Sequence, residues 1–325
     1  MQSELYKIFP VKIREKLNGT DLQKDGYTEV RLRCNGPVVL LRGQEEFFLH
    51  KNGGVCKETA DAYVVSVNEI REMMEFISNF SIYAYEEEIS HGFLTIQGGH
   101  RVGICGKVVV AEGKIRTIRN ISFLNIRIAG EKRGCAENIL PYLYVGDHLC
   151  HTLIVSPPGC GKTTLLRDLI RLISDGGSFK KGEETGNKYR GRKVGVVDER
   201  SELAACYHGV PQNDLGCRTD VMDGCPKAEG MELLLRSMSP EVIAVDEVGG
   251  RKDMEVIEKS ISCGCTILAT IHGERKDFNF NAKTVINGRI SNGVFERYVF
   301  LKQGKSPGVI DSVCDSTGKE VVLLW

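Results

Sequence analysis

The segment LIVSPPGCGKTTLLRDLIRLI, which begins at Leu153, constrains the fold of this chain more than any other. An apolar run leads into a turn with two glycines, and a helical apolar face follows, formed by Leu165, Leu166, Leu169 and Ile173. A strand, a glycine-rich turn and a helix in this order form a phosphate-binding loop, because the glycines let consecutive N–H groups point inward at a helix N-terminus. The segment therefore predicts a nucleotide-binding α/β domain.

The side chains of this loop have separate predicted roles. Lys162 supplies a positive charge for the β and γ phosphates of ATP, and the Thr163 hydroxyl is a ligand for Mg²⁺. Ser156 stands where the motif usually has its first glycine, and serine is small enough for the loop to accept. Because a helix N-terminus acidifies a thiol, we expect Cys160 to be easily alkylated. The residues predicted to bind the nucleotide are Pro158, Gly159, Cys160, Gly161, Lys162, Thr163 and Thr164.

Two further apolar runs end in carboxylates. EVIAVDE ends in Asp246 and Glu247, and VGVVDERSEL carries Asp198 and Glu199, followed by Arg200. Since ligands bind at the carboxyl ends of parallel strands, we expect these side chains to face the phosphate loop. Asp246 is predicted to help hold Mg²⁺, whereas Glu247, with Asp198 or Glu199, orients or deprotonates the attacking water. A structural cluster of salt bridges is the alternative for the second pair.

Another apolar run, CTILATIH, places Thr270 and His272 at the end of a strand. His272 is predicted to bind the γ phosphate and to sense its loss, with a purely structural histidine as the alternative. Phosphoryl transfer also favours an arginine at the γ phosphate, often from a neighbouring subunit. The sequence does not choose among the candidates Arg101, Arg119, Arg127, Arg218 and Arg236.

The pattern of apolar runs changes near residue 134, which predicts a domain boundary there. Residues 1–134 contain strand-like runs, a helical segment from Val67 to Phe80 and a Gly98-Gly99 hairpin, which predicts a smaller α+β domain. Residues 135–325 predict a RecA-like α/β domain with a parallel sheet and crossover helices. The polar segment 174–193 is predicted to be a solvated loop. The predicted strands of the second domain are 151–156, 193–199, 241–247, 265–272 and 296–302.

Composition excludes several classes of protein. The 43 basic residues cancel the 43 acidic ones, so no net positive charge favours nucleic acid, and we expect no nucleic-acid partner. No run approaches about 18 consecutive apolar residues, which argues against an integral membrane segment. The 12 cysteines include no C-x-x-C pair and the N-terminus lacks a secretory signal, so we expect free, mostly buried thiols in a reducing cytoplasm.

The order of the motifs resembles that of the secretion ATPases of type II and type IV systems, including pilus motors. This resemblance places the acidic box on Asp198 and Glu199, the Walker B glutamate on Glu247 and the histidine box on His272. Long runs such as EVRLRCNGP, FLTIQGGHRVGICG and VGVVDERSE are also similar to the family of stage III sporulation protein AA.

Membership of that family implies a Mg²⁺-dependent ATPase that powers or assembles the channel complex between mother cell and forespore during endospore formation. It further implies a hexameric ring in the cytoplasm of the mother cell, held at the membrane by membrane proteins of the channel complex. Two alternatives stay open: a RecA-like nucleic-acid motor, and a nucleotide-gated scaffold with little turnover.

Overall fold

The computed structural model describes residues 4–81, 85–130, 132–181, 184–280, 284–286, 290–291, 293–304 and 307–322 of the 325-residue chain. The chain forms two compact units. The first contains residues 1–130 together with 205–212, and the second contains residues 131–204 and 213–325. The sequence did not indicate that a short segment from the middle of the second half belongs to the first unit.

The first unit is built on one antiparallel sheet of seven strands, in the order β4-β3-β2-β1-β7-β6-β5. Its helices and inward-facing strand residues form the main apolar core, and Val39, Phe48 and Ala62 form a second, smaller apolar cluster. The strands are β1 (Glu29–Arg33), β2 (Val39–Arg42), β3 (Glu45–Leu49), β4 (Val55–Cys56), β5 (Phe93–Ile96), β6 (His100–Ala111) and β7 (Lys114–Arg127). The helices are α1 (Glu4–Lys7), α2 (Val11–Lys16), α3 (Val67–Ile77) and α4 (Glu86–Ser90), with a 3₁₀ turn at Thr59–Asp61.

Local chemistry sets the ends of α3. The Ser66 hydroxyl accepts a hydrogen bond from the N–H of Glu69, whose carboxylate accepts one from the N–H of Ser66, a reciprocal cap that starts the helix. The helix ends at Ile77 rather than at the predicted Phe80, because Asn79 and Phe80 adopt positive φ values. The Gly98-Gly99 hairpin is confirmed: β5 and β6 pair antiparallel on either side of it.

The second unit contains a seven-stranded sheet in the order β14-β13-β15-β16-β10-β19-β20. All neighbours in it are parallel except β19 and β20. The strands of the unit are β8 (Tyr144–Val145), β9 (His148–Leu149), β10 (Thr152–Ser156), β11 (Gly177–Lys181), β12 (Glu184–Tyr189), β13 (Val194–Asp198), β14 (Thr219–Asp223), β15 (Val242–Val245), β16 (Thr266–His272), β17 (Thr284–Ile286), β18 (Ile290–Ser291), β19 (Arg297–Leu301) and β20 (Ile310–Asp315). The helices are α5 (Lys162–Asp175), α6 (Lys227–Ser237) and α7 (Arg251–Ser262), with 3₁₀ turns at Leu140–Leu143 and Arg275–Asp277.

The predicted α/β class of the second unit is confirmed, and all five predicted strands are present as β10, β13, β15, β16 and β19. Each of the first four is buried almost throughout, which explains why their sequences are continuously apolar rather than alternating. The edge strand β14 was not predicted, since its sequence TDVMD is half exposed and carries two aspartates.

The prediction of a solvated loop at 174–193 is wrong. The helix α5 continues to Asp175, and the strands β11 and β12 then form an antiparallel hairpin. Phe179 and Tyr189 stack with ring centroids 4.8 Å apart, and both pack on Tyr144. Packing of these three aromatic rings therefore stabilises a hairpin whose sequence is otherwise mostly polar. Residues 182–183 of the segment lie outside the described residues.

The thiols are free, as expected, but they are less uniformly buried than predicted. Five of the twelve are buried, namely Cys150, Cys160, Cys206, Cys265 and Cys314, whereas Cys105, Cys217 and Cys263 are exposed. In the part of the chain that the structure describes, no helix has both the length and the apolar character needed to cross a membrane.

Candidate active site

The carboxyl ends of four adjacent strands carry the residues predicted to perform chemistry. In the order β13, β15, β16 and β10, the strands end at Asp198, just before Asp246, at His272 and at Ser156. Parallel pairing sets Ser156 directly opposite His272. The sheet thus brings together side chains more than 100 positions apart in the sequence.

The phosphate loop connects β10 to α5. Gly161 precedes the helix with φ 91°, a left-handed conformation that favours glycine. A Cβ atom at Gly161 would lie 2.5 Å from both the Gly308 nitrogen and Pro307, so no larger residue fits there without displacement. The N–H of Gly308 also donates to the Cys160 carbonyl at 2.8 Å. No pattern in the sequence indicated this support of the loop by residues 307–308.

Lys162 is buried and turned toward the sheet edge. Its Nζ atom donates to Nδ1 of His272 at 2.8 Å and to the Ser156 carbonyl at 3.3 Å. Burial lowers the pKa of Lys162, although the carboxylates of Asp246 and Glu247 oppose that shift. The lysine therefore lies beside the predicted sensor histidine, where both can reach one ligand group.

A hydrogen-bond chain joins Lys162 to the predicted catalytic carboxylate. An ammonium has no acceptor, so His272 must accept at Nδ1 and donate from Nε2, which lies 2.8 Å from Oε1 of Glu247. The other carboxylate oxygen of Glu247 is 2.8 Å from the Arg200 guanidinium. Partial burial raises the pKa of Glu247, but the His272 hydrogen bond and the Arg200 charge outweigh it, so the pKa lies below its ordinary value.

Asp246 lies against the predicted Mg²⁺ ligand. Its Oδ2 atom accepts a hydrogen bond from the Thr163 hydroxyl at 2.7 Å, and its Oδ1 atom accepts one from Thr270. The Thr270 hydroxyl in turn accepts from the N–H of Glu247 at 2.9 Å. Glu247 has a φ of 55°, an unfavourable backbone conformation for a residue with a side chain, which this hydrogen bond helps to hold. A hydroxyl and a carboxylate at this distance suit Mg²⁺, which prefers oxygen ligands.

The carboxylates of β13 line the same small cleft as those that follow β15. Asp198 is buried and accepts hydrogen bonds from the N–H groups of Glu202 and Ala204, at 2.8 and 2.7 Å. Burial raises the pKa of Asp198 despite these N–H donors. Glu199 forms an ion pair with Lys227 of α6. The cleft is lined by Asp198, Glu199, Arg200, Glu202, Lys227, Asp246 and Glu247.

The candidate arginines have different contacts, and two of them, Arg101 and Arg127, lie opposite each other on β6 and β7. Arg218 donates to the carbonyls of Ser174 and Asp175 at the end of α5, at 2.7 and 3.1 Å. Arg236 pairs with Glu232 on the surface of α6. Arg101 stacks on Phe93, Arg127 lies 3.7 Å from Glu29, and Arg119 is an exposed residue of β7. Among the residues that the structure describes, the arginine that pairs with Glu247 is Arg200, whose only sequence signal was its place directly after the acidic pair.

Cys160 is buried, with 6% of its surface exposed, and its Sγ atom lies 3.9 Å from the Pro158 carbonyl. The helix N-terminus is present as predicted, but reagents reach the thiol poorly. Fast alkylation of Cys160 is therefore not expected from the folded protein.

Comparisons with known proteins found related sequences and a similar fold. A family model described as "Sporulation stage III, protein AA" matches residues 1–321. Stage III sporulation protein AA of Bacillus subtilis (strain 168) is 38% identical over 318 residues, which cover 97% of this chain and 96% of that protein. Nucleoside-triphosphatase THEP1 of Thermotoga maritima is 32% identical over 136 residues, 37% of this chain and 72% of that protein. The X-ray structure of the Legionella pneumophila ATPase DotB has a similar fold, with a TM-score of 0.51 and 13% identity over 90% of this chain and 76% of that one.

Proposed function

The chain belongs to the family of stage III sporulation protein AA, and from this premise we propose that it is an ATP-hydrolysing motor of the secretion-ATPase type. One observation carries the proposal: the lysine and the threonine of the phosphate loop each contact the residue predicted to work with them. The similarity to a nucleoside-triphosphatase and the fold shared with an ATPase support it.

In the proposed reaction, ATP binds with its phosphates on the N–H groups of the loop and its γ phosphate beside Lys162. Thr163 and Asp246 would hold Mg²⁺, which would supply positive charge against the phosphate oxygens. Glu247 accepts a proton from the attacking water as the bond between the γ phosphorus and the bridging oxygen of ADP breaks. Lys162 leaves His272 for the phosphate, so the hydrogen bond at Nδ1 of His272 differs between the free and the occupied site.

The loop that follows β13 is suited to carry this change to the first unit. The base of this loop, residues 199–204 with Asn213, is called its stem and belongs to the second unit. There Arg167 of α5 donates to the carbonyls of Glu202 and Leu203 at 2.6 and 2.8 Å. Asn213 closes the stem, with its N–H donating to the Ala204 carbonyl at 3.1 Å. A movement of α5 or of Asp198 therefore acts directly on this stem.

The tip of the same loop, residues 205–212, is part of the first unit. There the Tyr207 hydroxyl accepts a hydrogen bond from Asn79 at 2.9 Å, and Gln212 accepts one from the N–H of Gly98 at 2.9 Å. The His208 ring lies 3.0 Å from the hydroxyl of Tyr85. We therefore infer that residues 198–213 transmit the state of the nucleotide site to the first unit.

In the cell, the proposed motor powers or assembles the channel complex between mother cell and forespore during endospore formation. It would work as a hexameric ring in the cytoplasm of the mother cell and would reach the membrane through proteins of that complex. Family membership supports this placement.

The substitution Glu247→Gln tests the catalytic proposal. An amide cannot take a proton from water, so we expect kcat for ATP hydrolysis to fall by about 100-fold or more, while binding of ATP persists. The control is Glu255→Gln, an exposed glutamate of α7 that pairs with Arg251. Wild-type turnover in Glu247→Gln would contradict the assignment.

The same assay separates the alternatives. If wild-type protein binds ATP without measurable hydrolysis, the chain is a nucleotide-gated scaffold. If single-stranded DNA clearly stimulates hydrolysis, the chain is a nucleic-acid motor. We expect turnover that DNA does not change, because the net charge is zero.

A further inference from the structure

A second group of reactive side chains lies near the amino-terminal ends of β10 and β19, whereas the phosphate loop follows the carboxyl end of β10. His148 is the first residue of the two-residue strand β9, Cys150 lies between β9 and β10, and Glu296 directly precedes β19. One ligand atom from each of these three side chains lies within 4.8 Å of the other two. The strand β10 separates this group from the phosphate loop by five residues, or about 17 Å.

The two outer members of the group already converge. Nε2 of His148 lies 3.0 and 3.1 Å from the carboxylate oxygens of Glu296. Glu296 also accepts a hydrogen bond from the N–H of His151 at 2.8 Å, which fixes the orientation of its carboxylate. Pairing of the backbone between residues 151 and 296–297 holds the two segments together.

Cys150 is the member that a simple hydrogen-bonded pair does not explain. The residue is 1% exposed, and its thiol has no hydrogen-bond partner within the described part of the chain. An unpartnered sulfur atom beside an imidazole and a carboxylate is the donor set that a borderline-soft cation prefers.

We propose that His148, Cys150 and Glu296 form a Zn²⁺ site. The three side chains supply nitrogen, sulfur and oxygen, and a water completes the four-coordinate geometry that zinc favours. Mg²⁺ and Ca²⁺ are poor candidates, because they prefer ligand sets made of oxygen alone. His148 and Glu296 are both partly exposed, which gives the cation a path from solvent.

The expected role of this cation is to join two distant parts of the chain. Binding requires the folded arrangement of residues 148–150 with Glu296, so zinc stabilises the folded state and takes no part in hydrolysis. The proposal does not depend on the proposed ATPase activity, and its test needs no nucleotide.

Titration of the untagged full-length chain with Co²⁺ tests the site, because a cobalt–thiolate bond produces charge-transfer absorption in the near ultraviolet. We expect one equivalent to bind with this absorption and Zn²⁺ to abolish it by displacement. The substitution Cys150→Ser should remove the absorption, whereas Cys263→Ser, at an exposed cysteine, should leave it unchanged.

Two further variants keep the test decisive if Cys150→Ser fails to fold. His148→Ala changes a half-exposed side chain, and Glu296→Gln keeps an acceptor for the His151 N–H. Each should weaken Co²⁺ binding by at least about tenfold, since even the outer partners of metal ligands contribute that much. Absence of the charge-transfer band in the wild type, or unchanged binding in both variants, would overturn the proposal and leave a plain hydrogen-bonded pair beside a buried thiol.

Discussion

At the scale of single residues, hydrogen bonds connect the side chains of the candidate active site into one network. The Thr270 hydroxyl orients Asp246 and holds the N–H of Glu247, and His272 joins Glu247 to Lys162. Each contact limits the rotamers of the next side chain. The carboxylates of Asp246 and Glu247 are therefore oriented without a bound ligand, and only Lys162 must change its partner when ATP binds.

Arg200 is expected to keep the pKa of Glu247 low. Its guanidinium lowers the pKa of that carboxyl, so Arg200→Ala should raise the pKa toward its ordinary value. A base with a raised pKa becomes protonated at a higher pH, and the acidic limb of the kcat profile should move upward in pH. We also expect kcat to fall by about tenfold, or about 1.4 kcal/mol of barrier.

The control for this prediction is Arg251→Ala, at an arginine that is almost fully exposed on α7. Both variants would be assayed for ATP hydrolysis across a pH series. A uniform loss of activity with an unmoved acidic limb would show that Arg200 acts on the structure of the loop and not on Glu247.

His100 makes the stability of the first unit dependent on pH. The ring is 2% exposed and accepts a hydrogen bond from the N–H of Ala129 at 3.0 Å. Burial lowers the pKa of His100 to about 4, so the unfolded chain takes up this proton first as the pH falls. The contribution of neutral His100 to the free energy of unfolding is therefore fully present above about pH 6.5 and is lost toward pH 4. The free energy of unfolding should fall by about 2 kcal/mol on going from about pH 7.5 to about pH 5.

Urea denaturation at the two pH values measures this loss. His100→Asn keeps an acceptor without a titrating ring, so its free energy of unfolding should lack this part of the pH dependence. Equal losses in the wild type and the variant would assign the pH dependence to other groups.

At the scale of elements, two segments depart from the architecture that the strand pattern predicts. The β11–β12 hairpin extends the second unit through its aromatic contacts with Tyr144. The loop after β13 leaves the second unit at Ala204 and returns at Asn213, and its tip belongs to the first unit. Of the two, the loop is attached to residues of the candidate active site.

The double substitution Tyr207→Phe with His208→Ala tests the proposed transmission. It removes two polar contacts of the tip with Asn79 and Tyr85 and leaves the stem intact. We expect ATP binding to be unchanged, whereas the change that an ATP analogue causes in hydrogen exchange around residues 79–98 is lost. Val210→Ala, at an exposed position of the same tip, is the control. An identical exchange response in all three proteins would rule out this route.

At the scale of the whole molecule, the proposed ring predicts that assembly depends on nucleotide. Glu247→Gln should retain ATP and accumulate the assembled form, while Lys162→Ala should stay unassembled because it lacks the charge that holds the phosphates. Native mass measurement with ATP and Mg²⁺ reports the number of subunits, expected to be six. A single subunit count for both variants, with and without ATP, would contradict nucleotide-dependent assembly.

The sequence by itself determined the phosphate loop, the buried strands of the second unit and the positions of its acidic residues. These features follow from short-range rules: apolar runs, glycines at tight turns, and polar side chains directly after a strand. The same rules located Asp246, Glu247 and His272 without any knowledge of their contacts.

The tertiary structure alone decided which of these residues meet. The pairing of β10 with β16 brings Lys162 to His272, the fold of the loop after β13 brings Arg200 to Glu247, and packing sets Pro307 and Gly308 against Gly161. The aromatic hairpin and the placement of residues 205–212 are of the same kind. Contacts between distant residues depend on how whole elements pack, and no local pattern of residues records that arrangement.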